Sequence, residues 1–356
     1  MFRHRALPSY RVMSSEDLLD FLGHLMKSEP VMVPMERPDQ PGFHVFDWLS
    51  RPEDLVLNYT TTTLPPKKAF FPPTETLFRF RGDDPPKLTP VKESGPFVLM
   101  GIHPCDLAAI EALDKAYSYP PPDRRWEYNR SRALLIGVDC VPDEYCFCDS
   151  LGVSQARRPG DLFLTQIDRG YLIEIHTPAG AETIAAARTD VANEADLSAA
   201  ANRQRQKAGA FQGRMKTGPD RLADMLEAES FQDIWEDIAS RCYGCGSCNT
   251  TCPACFCFTM SDELDWDLNS GVRMRSWDAC QLQDFDLVAG GHRFREKRWQ
   301  RVRHRWHRKF LYLYRRFGRP FCTGCGRCSR ACTADINILD ETNRIIEAAS
   351  RGRTHD

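Results

Sequence analysis

The sequence predicts two domains, an α/β domain over residues 1–220 followed by a mainly α-helical domain over residues 221–356. A strand–helix–strand pattern in the first half and repeated cysteine motifs in the second half support this division. Between them, residues 181–210 are rich in Ala, Gln and Arg, which is typical of a surface helix or a linker. A chain of 356 residues is long enough to form two hydrophobic cores.

The first predicted helix begins at Ser14 and Ser15, where a serine N-cap precedes an acidic first turn. Short strands are expected at residues 31–35 and 43–46. Four prolines within the nine residues 65–73 then exclude a regular helix and predict a stiff surface loop.

Two apolar strands, residues 97–102 and 133–138, enclose a helix that runs to about residue 116. This order predicts a βαβ unit with a parallel pair of strands. Functional groups gather beyond the carboxyl ends of such strands. Both loops at these ends carry thiols, so we expect four cysteines at one edge of the sheet: Cys105, Cys140, Cys146 and Cys148.

Three interpretations of these four thiols remain open. They are an iron–sulfur cluster, a zinc site with four thiolates, and free buried thiols. Cys105 lies at a predicted helix N-terminus, which favours a thiolate. The spacing of Cys146 and Cys148 suits a zinc knuckle poorly.

Further along the chain, residues 161–167 and 171–175 flank Asp168-Arg169-Gly170 and predict a β-hairpin. Helices are expected at residues 219–227 and 231–241, the second with an apolar stripe. A last helix within residues 335–350 is expected to cover the clusters.

The second half contains the spacing C-x2-C-x2-C-x3-C-P, which bacterial ferredoxins use to bind cubic 4Fe–4S clusters. The first copy comprises Cys242, Cys245, Cys248 and Cys252. The second copy comprises Cys322, Cys325, Cys328 and Cys332.

In such pairs the fourth cysteine of each run ligates the other cluster. We therefore predict two 4Fe–4S clusters and a dicluster ferredoxin-like C-terminal domain with a long insertion between the motifs. One cluster is expected on Cys242, Cys245, Cys248 and Cys332. The other is expected on Cys322, Cys325, Cys328 and Cys252.

Zinc is the alternative for these motifs, since C-x2-C pairs also form zinc knuckles. Zinc takes its ligands in two pairs, whereas each motif here supplies a triplet and one outlying cysteine. Thr333 follows Cys332 where Pro253 follows Cys252, a departure that removes no ligand.

The insertion contains a strongly basic segment, residues 292–316. Such a segment could bind nucleic acid, attach to a membrane surface, form a plain solvated face, or lie beside negatively charged clusters and tune their potential. Because the segment runs directly into Cys322, the interpretation in which it lies beside the clusters is favoured.

The insertion also carries three cysteines to which the sequence assigns no role. They are either spare thiols or alternative ligands: Cys255, Cys257 and Cys280.

Composition and absent motifs limit the function further. The net charge of −2 excludes a polyelectrolyte that binds nucleic acid through its overall charge. No secretory h-region and no run of about 18 apolar residues is found, so we expect a cytoplasmic protein without a transmembrane segment. Neither G-x-G-x-x-G nor a P-loop occurs, so no nucleotide site is expected. No nucleophile–base arrangement is evident either, which favours an electron conduit over a catalytic subunit.

Four segments together resemble the beta subunits of cytoplasmic sulfhydrogenases, which are bifunctional nickel–iron hydrogenases, and the similar iron–sulfur subunits of anaerobic sulfite reductases. The segments are residues 64–71, 101–110, 242–258 and 322–332. The resemblance spans residues 50–340, although residues 181–217 have no counterpart. It implies an iron–sulfur subunit that works with a flavin- and NAD(P)-binding reductase and with a catalytic subunit for hydrogen, sulfur or sulfite. It also favours a third cluster on the four N-terminal cysteines.

Two other functions remain open. The first is a cluster- or zinc-containing regulator that binds nucleic acid through residues 292–316, with a steep salt dependence. The second is a self-sufficient reductase of sulfur compounds that binds its substrate at the N-terminal cysteines. Turnover of sulfite or polysulfide by the isolated chain would distinguish the second from an electron relay.

Overall fold

The computed structural model describes residues 9–91, 95–228 and 231–352. Its strands in these ranges are β1 Ser9–Met13, β2 Val31–Arg37, β3 Gln40–Trp48, β4 Thr74–Arg81, β5 Lys87–Pro90, β6 Phe97–Ile102, β7 Ala133–Val138, β8 Leu162–Ile167, β9 Gly170–Ile175, β10 Asp190–Val191, β11 Phe258–Leu264 and β12 Ser270–Trp277. Its helices are α1 Ser15–Ser28, α2 Pro104–Tyr117, α3 Arg124–Ser131, α4 Pro178–Ile184, α5 Glu194–Ala210, α6 Pro219–Ala228, α7 Gln232–Arg241, α8 Ser247–Thr250, α9 Arg298–His307, α10 Leu313–Phe317, α11 Arg327–Arg330 and α12 Ile338–Gly352.

Most strands of the N-terminal half form one mixed sheet of eight strands, in the order β10-β1-β9-β8-β7-β6-β2-β3. The four central strands β8, β7, β6 and β2 pair in parallel, and the outer strands pair antiparallel. The predicted βαβ unit and the β8–β9 hairpin are therefore confirmed. The Ser14 cap of α1 is confirmed as well, because its hydroxyl accepts a hydrogen bond from the Asp17 amide at 3.0 Å.

Burial explains why the sequences of the central strands are continuous runs of apolar residues. All six residues of β6 are buried, and α2 covers this strand with a face that is itself largely buried. A parallel strand covered on both faces cannot alternate apolar with polar side chains. The rigid β6–α2–β7 unit holds the two cysteine-bearing loops at one end of the sheet.

A second, four-stranded sheet joins the two halves of the chain in the order β11-β12-β4-β5. Its hairpin β11–β12 belongs to the insertion between the cysteine motifs, and β4 and β5 come from the N-terminal half. The C-terminal half thus contains helices together with a hairpin, and the expectation of a mainly α-helical domain is not confirmed. The boundary at residue 220 stays a prediction.

Helices α6, α7, α9 and α12 pack around a shared apolar core that includes Trp235, Trp306 and Phe310. The last helix, predicted within residues 335–350, is confirmed as α12. Each cysteine motif contains a one-turn helix, α8 in the first and α11 in the second, and the third cysteine of each motif lies on it.

The proline-rich segment is not the surface loop that the sequence predicts. Pro66–Ala69 form a short 3-10 helix, and the aromatic rings of Phe70 and Phe71 are buried against the mixed sheet and the hairpin. Lys67 is buried too, with 2% of its surface exposed. The prediction is wrong because proline sets the local backbone but does not decide whether the apolar residues beside it find a core.

A buried ionic network fastens the second sheet to the N-terminal half. Arg275 on β12 donates to Glu75 on β4 through Nε at 2.8 Å and through Nη2 at 2.6 Å. Arg275 also contacts Asp123 at the N-cap of α3, and Arg125 contacts Glu75. Because Arg275 and Glu75 are both buried, each needs its partner to offset the loss of water.

Replacing Glu75 with alanine is expected to lower the free energy of unfolding by about 3 kcal/mol, because Arg275 is left buried without its main partner. The measurement is a urea titration followed by tryptophan fluorescence. The matched control is Asp262→Ala, which breaks the solvent-exposed pair with Arg273 in the same sheet and should change the midpoint little. Equal midpoints for the two variants would contradict the structural role of the buried network.

Candidate metal centres

The first thiol group consists of the three leading cysteines of the first motif and the last cysteine of the second. These thiols line one cavity below the end of α7: Cys242, Cys245, Cys248 and Cys332. The loop turns tightly through Gly244 and Gly246, both with positive φ, and a Cβ on Gly246 would lie 2.8 Å from the Cβ of Ala279. Glycine is therefore required there both by backbone conformation and by close packing. Cys328 also borders this cavity.

The second thiol group consists of the remaining motif cysteines: Cys252, Cys322, Cys325 and Cys328. The pKa of the Cys322 thiol is raised to about 12, mainly by burial and in addition by the neighbouring thiols of Cys328 and Cys252. Burial likewise raises the pKa of Cys325 to about 11, again with Cys252 and Cys328 as neighbours. The ammonium of Lys309 links the two motifs in space. It donates to the sulfur of Cys252 at 3.0 Å and to the carbonyl of Phe321, the residue before Cys322, at 3.1 Å.

The N-terminal thiol group comprises the four cysteines at the carboxyl end of β6 and β7: Cys105, Cys140, Cys146 and Cys148. Cys105 lies in the first turn of α2, and the 3-10 helix Cys148–Leu151 carries the last of them. Burial raises the pKa of the Cys146 thiol, and so do the nearby thiols of Cys148 and Cys140. The parallel strands therefore bring these loops to one edge, as the βαβ pattern predicts.

The N-terminal thiol group packs directly against the second motif. The amide of Phe147 donates to the carbonyl of Gly324 at 2.8 Å. A Cβ on Gly324 would lie 2.5 Å from the backbone nitrogen of Cys148, and one on Gly326 would lie 2.6 Å from the Cβ of Tyr145. Both glycines have positive φ. The glycines of the second motif thus permit a backbone-to-backbone contact between two cysteine loops.

The hairpin thiol group contains the three cysteines that the sequence does not assign. All three line one further cavity, at the base of the β11–β12 hairpin: Cys255, Cys257 and Cys280. Two residues of the basic segment, Arg308 and Lys309, line the same cavity. The three thiols are therefore neighbours in space, although up to 25 positions separate them in the chain.

The basic segment places its cations among these thiols. The ammonium of Lys309 donates to the sulfur of Cys252 at 3.0 Å and to that of Cys255 at 3.5 Å. Burial lowers the pKa of Lys309, but the thiols of Cys252 and Cys255 outweigh this effect and raise it well above its usual range. Arg305 is 4% exposed and donates to the carbonyl of Cys248 at 3.4 Å.

A π-helical stretch, Arg308–Tyr312, interrupts this segment directly after α9. Such a stretch inserts an extra residue into a helix and often marks a functional site. Here it includes Lys309, the residue that reaches both Cys252 and Cys255.

Sequence reasoning missed two functional contacts. Lys67 donates from Nζ to the carbonyl of Cys255 at 2.6 Å, across 188 positions of the chain. Asp106, next to Cys105, forms a buried pair with Arg327 of the second motif. The available signals were a lysine pair among prolines and aromatics, and a charged residue inside each cysteine loop. Neither signal identifies the residue that the charged side chain contacts.

The thiols in the described part of the chain border cavities and are not arranged around the position of a single metal ion. In the described ranges, no three His, Cys, Asp or Glu side chains are arranged to hold a single metal ion. Zinc draws its sulfurs to about 2.3 Å from one centre, whereas a cubane binds each thiolate through a different iron atom. The first thiol group, four sulfurs bordering one cavity with Arg305 beside them, fits an iron–sulfur cluster by donor type and by charge.

Comparison with known protein families shows the general class to which this protein belongs. The family described as "4Fe-4S dicluster domain" matches residues 241–336, the stretch from the start of the first motif to just past the second. The chain is therefore an iron–sulfur protein of the 4Fe–4S class.

A curated relative identifies a narrower family within this class. "Sulfhydrogenase 2 subunit beta" of Pyrococcus furiosus is 37% identical over 302 residues, which cover 83% of this chain and 88% of the relative. The chain belongs to the family of sulfhydrogenase beta subunits, as the sequence resemblance predicts. In the part of the chain that the structure describes, no helix is both long and apolar enough to cross a membrane.

Replacing Lys309 with methionine is expected to lower the reduction potential of a cluster bound by the second thiol group. Reduction adds a negative charge, and the buried ammonium beside Cys252 stabilises that charge. We expect a shift of about 60 mV, equivalent to about 1.4 kcal/mol for a one-electron couple. The measurement is a potentiometric titration followed by EPR spectroscopy.

Two further variants serve as controls for this prediction. Lys309→Arg keeps the charge and should shift the potential less than the methionine variant. Lys27→Met removes an exposed lysine at the end of α1 and should leave the potential unchanged. A Lys309→Met protein with the native potential would show that the ammonium has no electrostatic role.

Proposed function

We propose that the protein is an iron–sulfur electron-transfer subunit. It relays electrons between a flavin- and NAD(P)-binding reductase and a catalytic subunit, which is a hydrogenase or a sulfur or sulfite reductase. The observation that carries the proposal is the exchange of the outlying cysteines. Cys332 lines the cavity of the first motif. On the other side, Lys309 donates both to the sulfur of Cys252 at 3.0 Å and to the carbonyl of Phe321, directly before the second motif, at 3.1 Å.

In this proposal two 4Fe–4S clusters have crossed ligands. The first thiol group binds one, through Cys242, Cys245, Cys248 and Cys332. The second thiol group binds the other, through Cys322, Cys325, Cys328 and Cys252. When bound, such clusters take up and release single electrons.

A third cluster is proposed on the N-terminal thiol group, through Cys105, Cys140, Cys146 and Cys148. Two observations support it. The four cysteines lie at the edge of a sheet where functional groups gather. Their loop also contacts the second motif through the hydrogen bond from Phe147 to Gly324, so a third cluster would lie next to the second. A cluster here would make the N-terminal half part of the relay.

The protein's own residues set the environment of these sites. The cysteines are buried or half-buried, except Cys245, which is exposed. The cations of Lys309, Arg305 and Arg327 offset the negative charge of thiolates and sulfides. Buried thiolates are unfavourable without such compensation. The residues therefore stabilise the clusters and adjust the ease of reduction, while no side chain is assigned to bond making or breaking.

The partners in this proposal follow from family membership. The relative from Pyrococcus furiosus is named as one subunit of a sulfhydrogenase, so we infer a hetero-oligomeric complex for this chain, located in the cytoplasm. The reductase partner would supply the flavin and the nucleotide site. The basic segment does not favour nucleic acid as a partner, because Arg301, Arg305 and Lys309 are buried and directed into the protein.

Metal analysis tests the third cluster. A Cys146→Ala, Cys148→Ala double variant is expected to lose about four irons and about four sulfides per chain relative to the native protein. Both proteins are purified without oxygen, and zinc is measured in the same samples. An exposed substitution in the same half, Trp48→Ala, serves as the control and should retain the native iron content. Unchanged iron in the double variant, or loss of zinc instead, would remove the N-terminal site from the relay.

Redox and binding experiments test the relay itself. The native protein should be reduced by dithionite and by a flavin-containing reductase partner, and it should co-purify with other subunits. The isolated chain should not turn over sulfite or polysulfide. Tight, salt-sensitive binding to nucleic acid together with inert redox behaviour would instead establish a regulator.

A further inference from the structure

We propose that the hairpin thiol group is a further iron–sulfur site, in which Cys255, Cys257 and Cys280 bind one cluster through three protein thiolates. The chain has fifteen cysteines. Twelve of them form the two crossed groups and the N-terminal group. The three that remain are not scattered, since all of them line a single cavity.

The β11–β12 hairpin accounts for this convergence. Cys257 immediately precedes β11, and Cys280 follows β12 by three residues. The antiparallel register pairs Phe258 with Trp277, and the amide of Asp278 donates to the carbonyl of Cys257 at 3.0 Å. The two strands therefore return the chain to its starting point and place Cys280 beside Cys257.

Asn249 and Lys67 donate hydrogen bonds to the hairpin thiol group, the first to its sulfurs and the second to its backbone. The side-chain amide of Asn249 lies 3.2 Å from the sulfur of Cys280 and 3.7 Å from that of Cys255. Asn249 is 2% exposed, so this amide is committed to the thiols rather than to water. On the other side, Lys67 holds the carbonyl of Cys255 at 2.6 Å. Amide donors to sulfur are a recurrent feature of cluster sites, where they stabilise negative charge.

The charge of the cavity fits an anionic cluster. Three cations line it together with the three thiols, namely Arg305, Arg308 and Lys309. The other walls are mainly apolar, with Phe321 among them. Three cations facing neutral thiols in so small a space would repel one another without compensation. An iron–sulfur cluster with three thiolates supplies negative charge where they converge.

The position of the site connects it with both proposed clusters of the dicluster domain. Arg305 lines this cavity and also that of the first thiol group. Lys309 lies between Cys252 of the second thiol group and Cys255 of the hairpin thiol group. The electron-relay function requires only the crossed clusters, so the further site and that function can fail independently.

The test is a Cys255→Ala, Cys257→Ala, Cys280→Ala triple variant of the full chain, purified without oxygen with its partners. We expect it to lose about three or four irons and about four sulfides per chain, according to whether the cluster holds three or four irons. The signals of the remaining clusters in EPR spectra should persist. The matched control is Met260→Ala, an exposed position on the same hairpin, which should keep the native iron content.

A second variant covers the case in which the triple variant does not fold. Cys257→Ala alone removes one ligand at a half-buried position and is expected to cause the same loss of iron and the same spectral change. Native iron and sulfide content in either folded variant would overturn the proposal. So would loss of a single metal ion, or a disulfide between Cys257 and Cys280 in native protein with full iron content. Loss of every cluster signal together would also contradict it, because the site would then serve the fold and not its own cluster.

Discussion

The buried pair between Asp106 and Arg327 is the interaction on which the arrangement of the thiol groups depends. Two guanidinium nitrogens bond the carboxylate, at 2.6 and 2.7 Å, and neither residue is exposed by more than 3%. Nε of Arg327 also donates to the carbonyl of Thr62 at 3.0 Å. A bidentate pair of this kind fixes orientation as well as distance. Since Asp106 adjoins Cys105 and Arg327 lies between Cys325 and Cys328, the pair sets two thiol groups in fixed relation.

Charge compensation is the second constraint. The described part of the chain buries many sulfurs close together, and each thiolate or sulfide needs a positive neighbour once water is excluded. Several elements supply such neighbours. They include the helix and π-helical stretch with Arg305 and Lys309, the short 3-10 helix with Lys67, and α11 with Arg327. Within the basic segment, Arg305 and Lys309 are buried beside the thiols. Other cations of the same segment are exposed: Lys297, Arg315 and Arg316.

The two halves of the chain cooperate more closely than a division into two domains implies. The hairpin from the insertion completes a sheet with β4 and β5, and Arg275 ties it to Glu75 by a buried ion pair. The same hairpin brings Cys257 to Cys280. Thus the element that joins the halves also shapes a thiol site. Packing of the N-terminal half and geometry of the cysteine loops are consequently coupled.

The sequence by itself determined what depends on near neighbours in the chain. Unbroken apolar runs predict strands β6 and β7, and Ser14 predicts the cap of α1. The cysteine spacing predicts the kind of metal cluster. Each of these features is decided within a few residues of the chain. Only the tertiary structure decided which thiols share a space and which cations lie beside them. Lys67 meets Cys255 across 188 positions, and Arg275 meets Glu75 across 200. No local pattern encodes such contacts, since they arise from how the sheets and helices pack.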